Sequence, residues 1–344
     1  MRTKTLGRTG LLVSEMCLGT NTFGGKGNPM WEPIGGLDVR EATAMVARAF
    51  EGGVNFFDTA NIYGGGDSEN VLGQSLKEAG VPRDEAVILT KGGMRMSPGK
   101  NGVGATRAHL TQALDGSLKR LGTDYVDVYM LHQFDRLTPI EETLRAMDDF
   151  VRAGKVRYLG CSNLSAWQIA HALGVSERES LSRFEVTEAY YSVAVRDIER
   201  EIVPMALDRN VGIMVWGALL GGILTGKYKR DGDLPGGTRF SGGIWMPFDK
   251  ERTFNTLDVL TKIAQKKGAT PGQIAIAWLL HQPVMTSVAF GSRTIAQLDS
   301  NIAAAKITLS AEELSVVDAV SALPVEYPAW KLAEAYADRP DPHS

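Results

Sequence analysis

The chain has 344 residues, of which 44% are hydrophobic and 22% charged, with a formal net charge of −3. This is the composition of a globular protein, and it argues against a protein that binds nucleic acid or a membrane surface. The two cysteines, Cys17 and Cys161, exclude a disulfide framework and fit a reducing compartment. The N-terminal residues lack the apolar core of a signal peptide, and no stretch approaches the roughly 18 apolar residues of a membrane span. We therefore expect a cytoplasmic protein.

The chain opens with two strand-like segments, residues 3–6 and 11–13, joined by a turn that contains Gly7 and Gly10. This pattern predicts a β-hairpin. Eight short apolar runs follow, each with the length and composition of a buried strand. They occupy residues 14–20, 54–60, 86–91, 125–132, 156–163, 184–190, 211–217 and 286–292.

Segments with helical periodicity separate these runs, for example residues 39–53, 107–122, 139–154 and 198–210. Buried strands that alternate with amphipathic helices indicate a parallel sheet. Eight repeats favour a closed (β/α)8 TIM barrel, in the α/β class, over an open doubly wound sheet. The open sheet would require a GxGxxG turn after an early strand, and the first strand ends in Gly19-Thr20 without one.

Two further segments have their own character. Residues 220–248 are rich in glycine and proline and follow the seventh strand, which predicts a long functional loop at the active-site end of the barrel. The residues after Pro324 predict an irregular C-terminal extension. No linker composition interrupts the chain, so we expect residues 1–344 to form a single domain.

Polar residues at the strand ends carry the functional prediction, because the carboxyl ends of barrel strands meet at one mouth. The second strand ends at Asp58 with Tyr63 in the loop beyond, the third ends at Lys91 and the fourth at His132. A free tyrosine, with a pKa near 10, is a poor acid at neutral pH, and a nearby ammonium lowers that pKa. A carboxylate would keep the lysine charged, and a neutral histidine could orient a carbonyl by hydrogen bonding. The four residues together predict proton donation to a carbonyl oxygen.

Each of the four also has a structural interpretation when taken alone. The aspartate could cap a helix, the lysine could be a solvated charge, the histidine could be a core residue and the tyrosine a plain loop aromatic. Their joint occurrence at successive strand ends is what favours the functional interpretation.

Several motifs resemble those of the aldo-keto reductase superfamily: NFFDTANIYG (55–64), LTK (89–91), LH (131–132) and GKVRYLGCSN (154–163). The resemblance runs from the N-terminal hairpin to FGSRTIAQLDSNI near the C-terminus. The segments DRLTPIEET and LTGKY resemble the bacterial branch near the potassium-channel β subunits. The resemblance implies a barrel enzyme that transfers a hydride between NADP(H) and a small carbonyl or alcohol, with a homo-oligomer as one possible assembly.

The resemblance also implies residue roles. Tyr63 would be the general acid/base, Lys91 and Asp58 would tune it, and His132 would bind the carbonyl oxygen. In the cofactor site, Ser162 and Asn163 would bind the nicotinamide carboxamide, Trp216 would stack on its ring, and Arg293 would select the 2′-phosphate of NADPH. The cofactor-binding residues implied are Gly19, Thr20, Asp58, Ser162, Asn163, Glu188, Trp216, Gly217, Leu219, Gly221, Lys227, Arg239, Gly291, Arg293, Gln297 and Asn301.

Three positions depart from the family pattern. Glu188 stands where the family has a glutamine, so it can accept but not donate a hydrogen bond to the carboxamide. Gly217-Ala218 replaces a Ser-Pro pair, which removes a hydroxyl. Ser300 replaces an acidic residue near the adenine.

The substrate pocket is predicted from aromatic and methionine residues of the loops, which suggest a roomy apolar site. The candidates are Phe23, Trp31, Met94, Met96, Phe134, Trp245 and Met246. Two other functions stay open: a cofactor-binding regulatory subunit with little turnover, and a lyase that forms a Schiff base on Lys91.

Overall fold

The computed structural model describes residues 1–240 and 243–335. Eight strands pair in parallel and close into a barrel, with the last strand hydrogen-bonded to the first. The predicted (β/α)8 fold is thereby confirmed. The barrel strands are β3 (Met16–Gly19), β4 (Phe56–Asp58), β5 (Val87–Gly92), β6 (Val126–Leu131), β7 (Val156–Ser162), β8 (Phe184–Tyr190), β9 (Gly212–Trp216) and β10 (Met285–Phe290).

Helices surround the barrel. They are α1 (Val39–Glu51), α2 (Asp67–Glu78), α3 (Arg107–Leu121), α4 (Ile140–Arg152), α5 (Ala166–Glu179), α6 (Ile202–Arg209), α7 (Lys250–Lys267), α8 (Pro271–Leu280), α9 (Ile295–Ala303), α10 (Ala311–Ser321) and α11 (Ala329–Ala335). Within the described ranges, no helix combines the length and apolar content that crossing a bilayer requires.

Local sequence explains where several helices begin. Asp38 accepts a hydrogen bond from the Glu41 amide while the Glu41 side chain accepts from the Asp38 amide, which satisfies two donors that the first turn leaves free. Thr270 and Ser310 begin α8 and α10 with the same reciprocal arrangement. These caps fix the helix starts and therefore the lengths of the loops that enter the barrel mouth.

Two predicted segments need correction. The predicted helix over residues 198–210 is shorter, because a 3-10 turn (Asp197–Glu199) precedes α6. The predicted irregular extension contains the short helix α11, and its residues 336–344 lie outside the described residues. The long loop is confirmed: after a 3-10 turn (Leu220–Thr225), its described residues form neither helix nor strand until α7.

The predicted hairpin is also confirmed, as the antiparallel strands β1 (Thr3–Thr5) and β2 (Leu12–Ser14). It closes the N-terminal end of the barrel, because Leu6 and Val13 belong to the apolar cluster that fills the barrel interior. Gly7 allows this approach, since a Cβ there would lie 2.1 Å from the carbonyl oxygen of Glu185. Any functional cavity must therefore open at the opposite end.

Candidate active site

A buried lysine occupies the carboxyl end of β5. The Lys91 ammonium forms an ion pair with Asp58 and donates to the carbonyl of Thr59 at 3.2 Å and to the hydroxyl of Tyr63 at 3.5 Å. Glu188 is a further partner: its Oε2 lies 3.1 Å from the lysine Nζ, as an ion pair without a hydrogen bond. Asp58, Tyr63, Lys91 and Glu188 form what we call the lysine cluster.

The charges of the cluster are coupled. Burial acts to lower the pKa of Lys91, but Asp58 and Glu188 outweigh it and hold that pKa well above the usual value. Burial and the neighbouring Glu188 raise the pKa of Asp58 to about 7, against the opposing effect of Lys91. The lysine is therefore charged at neutral pH, as predicted, while Asp58 titrates near neutrality.

Tyr63 begins the 3-10 turn Tyr63–Gly66 that follows β4, which carries its ring over the mouth. The ring lies 5.6 Å from that of Trp31 and 5.9 Å from that of His132, with an edge-on geometry to the imidazole. The expected net lowering of the tyrosine pKa is wrong: burial, with Asp58 and Glu188, raises the pKa above 10.0 despite the lowering effect of Lys91. The phenol therefore keeps its proton at neutral pH.

His132 follows β6 directly and is buried. Burial and the neighbouring Lys91 lower its pKa to about 3, so the imidazole is neutral at physiological pH, as predicted. Its Nδ1 is buried and has no hydrogen-bond partner. A neutral imidazole keeps one N–H, which can donate a hydrogen bond to a carbonyl oxygen.

A second group of polar side chains lies at the ends of β7 and β9. The Ser162 hydroxyl donates to the carbonyl of Glu188 at 3.0 Å, and the Asn163 amide donates to that hydroxyl and to the carbonyl of His132, each at 3.0 Å. The Trp216 indole donates to the Asn163 side-chain oxygen at 3.2 Å and stacks on Tyr190 at 4.6 Å. These three predicted nicotinamide contacts thus lie together beside the lysine cluster.

Three cations from the long loop and from the N-terminus of α9 form a further group, which we call the loop cations: Lys227, Arg239 and Arg293. Burial and the charges of the two arginines lower the pKa of Lys227, and burial and Arg293 lower that of Arg239. Within the described residues, none of the three forms an ion pair with a carboxylate. Their mutual repulsion would be relieved by an anion bound among them.

A glycine turn lies against the loop cations. Gly222 has a φ of 97°, and a Cβ there would lie 2.6 Å from the Lys227 ammonium. Gly221 has a φ of 61°, and a Cβ there would meet the ring of Phe240 at 2.3 Å. Both positions favour glycine, because the left-handed backbone and the close packing of Phe240 and Lys227 leave no room for a Cβ.

The remaining predicted cofactor residues have the following contacts and positions. Arg293 donates to the carbonyls of Gly237 and Pro33, while its amide donates to the Gln297 side chain at 2.8 Å. Asn301 is buried and donates to the hydroxyl of Ser292 at 3.2 Å. The half-buried Gly217 and Leu219 precede the glycine turn, Gly19 ends β3 with Thr20 directly after it, and Gly291 follows β10.

The substrate-pocket prediction is partly wrong. Phe23 is 1% exposed and packs in the core outside the barrel, and Met246 is buried against Gly217. Trp31 does contact Tyr63, and Phe134 contacts Trp167 at 6.1 Å between ring centroids. Met94 and Met96 are half-buried, and Trp245 is exposed beside Phe240.

Trp167 was missed by the sequence analysis, although it is 61% exposed in the first turn of α5. The sequence signal that could have identified Trp167 is a large aromatic residue four positions after the strand-end Asn163.

A cavity of about 510 Å³ lies beside Asn163 and Tyr190. Its remaining lining comes from Leu164, from the stretch between the end of β8 and the start of α6, and from residues 247–252 around the start of α7. It includes none of Tyr63, Lys91 and His132. This cavity is therefore adjacent to the candidate site but does not include Tyr63 or the lysine cluster.

Comparison with known proteins agrees with this architecture. Residues 15–322 match the model of the aldo/keto reductase family. The chain is 34% identical to the uncharacterized oxidoreductase YrpG of Bacillus subtilis, over 96% of this chain and 98% of that protein. It is 36% identical to a probable voltage-gated potassium channel subunit beta of Arabidopsis thaliana (89% and 92%) and 32% identical to the versiconal hemiacetal acetate reductase of Aspergillus parasiticus (91% and 95%). The chain therefore belongs to the aldo/keto reductase family.

Proposed function

We propose that this protein is an NADPH-dependent carbonyl reductase in which Tyr63 donates the proton to the substrate oxygen. One observation carries the proposal: the Tyr63 hydroxyl, the charged Lys91 at 3.5 Å and the neutral His132 meet at the open end of the barrel. Membership of the aldo/keto reductase family and similarity to oxidoreductases support carbonyl reduction in general.

The proton chemistry follows from the charges of these residues. A phenol that stays protonated at neutral pH is available as an acid, and His132 can donate a hydrogen bond to the same carbonyl oxygen. When Tyr63 gives up its proton, the Lys91 ammonium stabilises the phenolate that remains. Burial removes the screening of this attraction by water but also disfavours the phenolate itself, so the pKa of the free Tyr63 stays above 10.0.

The cofactor site fits a dinucleotide with an additional phosphate. Lys227, which packs against the glycine turn, suits a pyrophosphate. Arg293 and Arg239 suit a 2′-phosphate, since a guanidinium binds phosphate through two parallel hydrogen bonds. Asn163 and Trp216 would hold the nicotinamide. When bound, the cofactor would supply the hydride.

The buried charge on Lys91 argues against the Schiff-base lyase. An amine must be neutral to attack a carbonyl, whereas two carboxylates hold this ammonium charged. A regulatory subunit is the second candidate, favoured by the similarity to a probable voltage-gated potassium channel subunit beta. The presence of the phenol, the ammonium and the neutral imidazole together favours turnover.

A spectrophotometric assay tests the proposal. NADPH and 4-nitrobenzaldehyde are mixed with the protein, and loss of NADPH absorbance is followed at about 340 nm. We expect turnover that the Tyr63→Phe variant lacks. NADPH binding without turnover would favour the regulatory subunit instead, and borohydride trapping of the aldehyde on Lys91 would favour the lyase.

A further inference from the structure

Glu188 is a carboxylate in a buried position, where its charge is poorly solvated. It is 2% exposed, and it reaches Lys91 across the barrel, since β6 and β7 separate its strand, β8, from β5. Its Oε2 lies 3.1 Å from the lysine Nζ, on an ammonium that Asp58 already pairs with. A buried carboxylate needs such a partner because isolated burial of its charge is costly.

We propose that Glu188 is a positioning residue that holds the Lys91 ammonium between two carboxylates and places an excess negative charge beside the nicotinamide site. One cation faces two carboxylates, so the ionised cluster carries one net negative charge. A glutamine at this position would leave Asp58 and Lys91 balanced.

The first consequence concerns the proton inventory of the cluster. The titratable groups around the Glu188 carboxylate are Cys17, Asp58, Tyr63 and Lys91, with His132 beside the lysine. Burial and the repulsion from Glu188 raise the pKa of Asp58 from 3.8 to about 7. Between pH 3.8 and about 7 the folded state therefore holds a proton on Asp58 that the unfolded state has lost. The contribution of Asp58 to the free energy of unfolding falls as the pH rises toward 7 and stays constant above that pH.

The second consequence concerns the cofactor and rests on the proposed function. Ser162 and Asn163, the proposed carboxamide partners, both donate hydrogen bonds to the main-chain carbonyl of Glu188. The Ser162 hydroxyl lies 3.0 Å from that oxygen and the main-chain N–H of Asn163 lies 3.2 Å from it. The oxidised nicotinamide ring carries a positive charge that the reduced ring lacks. A carboxylate next to this site should therefore favour NADP⁺ over NADPH.

The cofactor-free test compares the protein with its Glu188→Gln variant by urea unfolding at pH 5, 6, 7 and 8. We expect the urea midpoint of the wild-type protein to fall relative to that of the variant between pH 5 and 7, and the difference to level off above pH 7. Glu185→Gln is the matched control, because Glu185 lies on the same strand but pairs with Arg183 at 3.8 Å, away from Lys91.

The second test measures the dissociation constants of NADP⁺ and NADPH by quenching of tryptophan fluorescence at pH 8, above the pKa of about 7 of Asp58, so that Asp58 is ionised in both proteins. In Glu188→Gln we expect the ratio of the NADP⁺ constant to the NADPH constant to rise, on the order of tenfold for the loss of one nearby charge. A merely structural role would weaken both cofactors alike and leave the ratio unchanged. Glu185→Gln should leave both constants unchanged.

Asp58→Asn is the second variant, and it keeps the test decisive if Glu188→Gln fails to fold. It removes the group that titrates, so it should abolish the same pH-dependent loss of stability. The proposal is wrong if Glu188→Gln retains the wild-type pH dependence, or if Asp58→Asn does. If the protein binds neither cofactor, the proposed function fails, whereas the unfolding series still decides the role of Glu188.

Discussion

The lysine cluster and the loop cations differ in how their charges are balanced, although both are predicted to lie at the mouth of the barrel. In the cluster, a single buried ammonium lies between two carboxylates that are carried by barrel strands. The loop cations form no carboxylate pair among the described residues, and they come from the long loop and from the N-terminus of α9. The first group holds charges of both signs, with the carboxylates in excess, whereas the second consists of cations alone.

This difference separates chemistry from binding. Strand-mounted, buried groups hold fixed positions and interact strongly because little water screens them. Partly exposed cations with unmet charge gain most when a ligand brings negative charge. Substitutions in the cluster should therefore change turnover and stability, while substitutions among the loop cations should change affinity.

The largest effect is expected for Tyr63→Phe. If this variant lost cofactor affinity instead of turnover, the division of roles between the lysine cluster and the loop cations would be wrong. Removing the proton donor should lower kcat by roughly 10²- to 10⁴-fold, the usual contribution of a general acid. Cofactor affinity should change by less than about twofold, because the ring remains. Steady-state kinetics and fluorescence titration measure the two quantities. Tyr327→Phe, at a 78% exposed residue, serves as control, and a variant that kept most of its kcat would disprove the mechanism.

Lys91→Met should destabilise the fold as well as the chemistry. It leaves two buried carboxylates without a cation, which costs about 3–5 kcal/mol for a broken buried ion pair. The loss should be greater at pH 8 than at pH 5, since protonation of a carboxylate relieves the repulsion. Urea unfolding at both pH values measures it.

Lys155→Met is the control for that series. Its partner Asp115 is exposed, and an exposed pair contributes at most about 1 kcal/mol. Equal losses in the two variants would show that the buried cluster has no special energetic role.

Arg293→Ala should change cofactor selection without changing chemistry at saturation. Loss of a charged hydrogen bond to the 2′-phosphate, about 1.5–3 kcal/mol, should raise the NADPH dissociation constant by roughly 10- to 100-fold and leave that of NADH nearly unchanged. Calorimetric titration with both cofactors tests this. Arg230→Ala, in the long loop that also carries Lys227 and Arg239 but paired with Asp258 at 3.2 Å, should have little effect. If the affinity for NADH fell as much as that for NADPH, Arg293 would not contact the 2′-phosphate.

The smallest effect is expected at the rim, where Trp167 and Phe134 offer an aromatic surface. Trp167→Ala should raise KM for a bicyclic aromatic aldehyde by about 2- to 10-fold, equivalent to the 0.5–1.5 kcal/mol of one aromatic contact. KM for a short aliphatic aldehyde should stay constant. Trp330→Ala, in the C-terminal extension, is the matched control. If KM for the bicyclic substrate were unchanged, Trp167 would not contact the substrate.

The sequence was sufficient for the barrel and for the residues at its strand ends. Strand periodicity and the polar residue that ends each run are local signals, and they located Asp58, Lys91 and His132 correctly at one mouth. The hairpin followed from its turn in the same way.

Features that depend on long-range geometry were not predictable. The contact between Glu188 and Lys91 joins β8 to β5 across the barrel, and no spacing in the chain indicates it. The sequence suggested that Lys91 would lower the pKa of Tyr63, but only the three-dimensional structure reveals how much burial and a second carboxylate oppose it. Phe23 was misplaced because an aromatic loop residue can face either the mouth or the core.

The hairpin that closes the far end of the barrel has a consequence for ionic strength. Leu6 and Val13 seal the interior with apolar side chains, so dissolved ions can approach the lysine cluster only from the mouth. The loop cations have solvent beside them, and Lys227 is exposed. Added salt should therefore weaken NADPH binding while leaving turnover at saturation nearly constant, since ions screen exposed charges much more than buried ones.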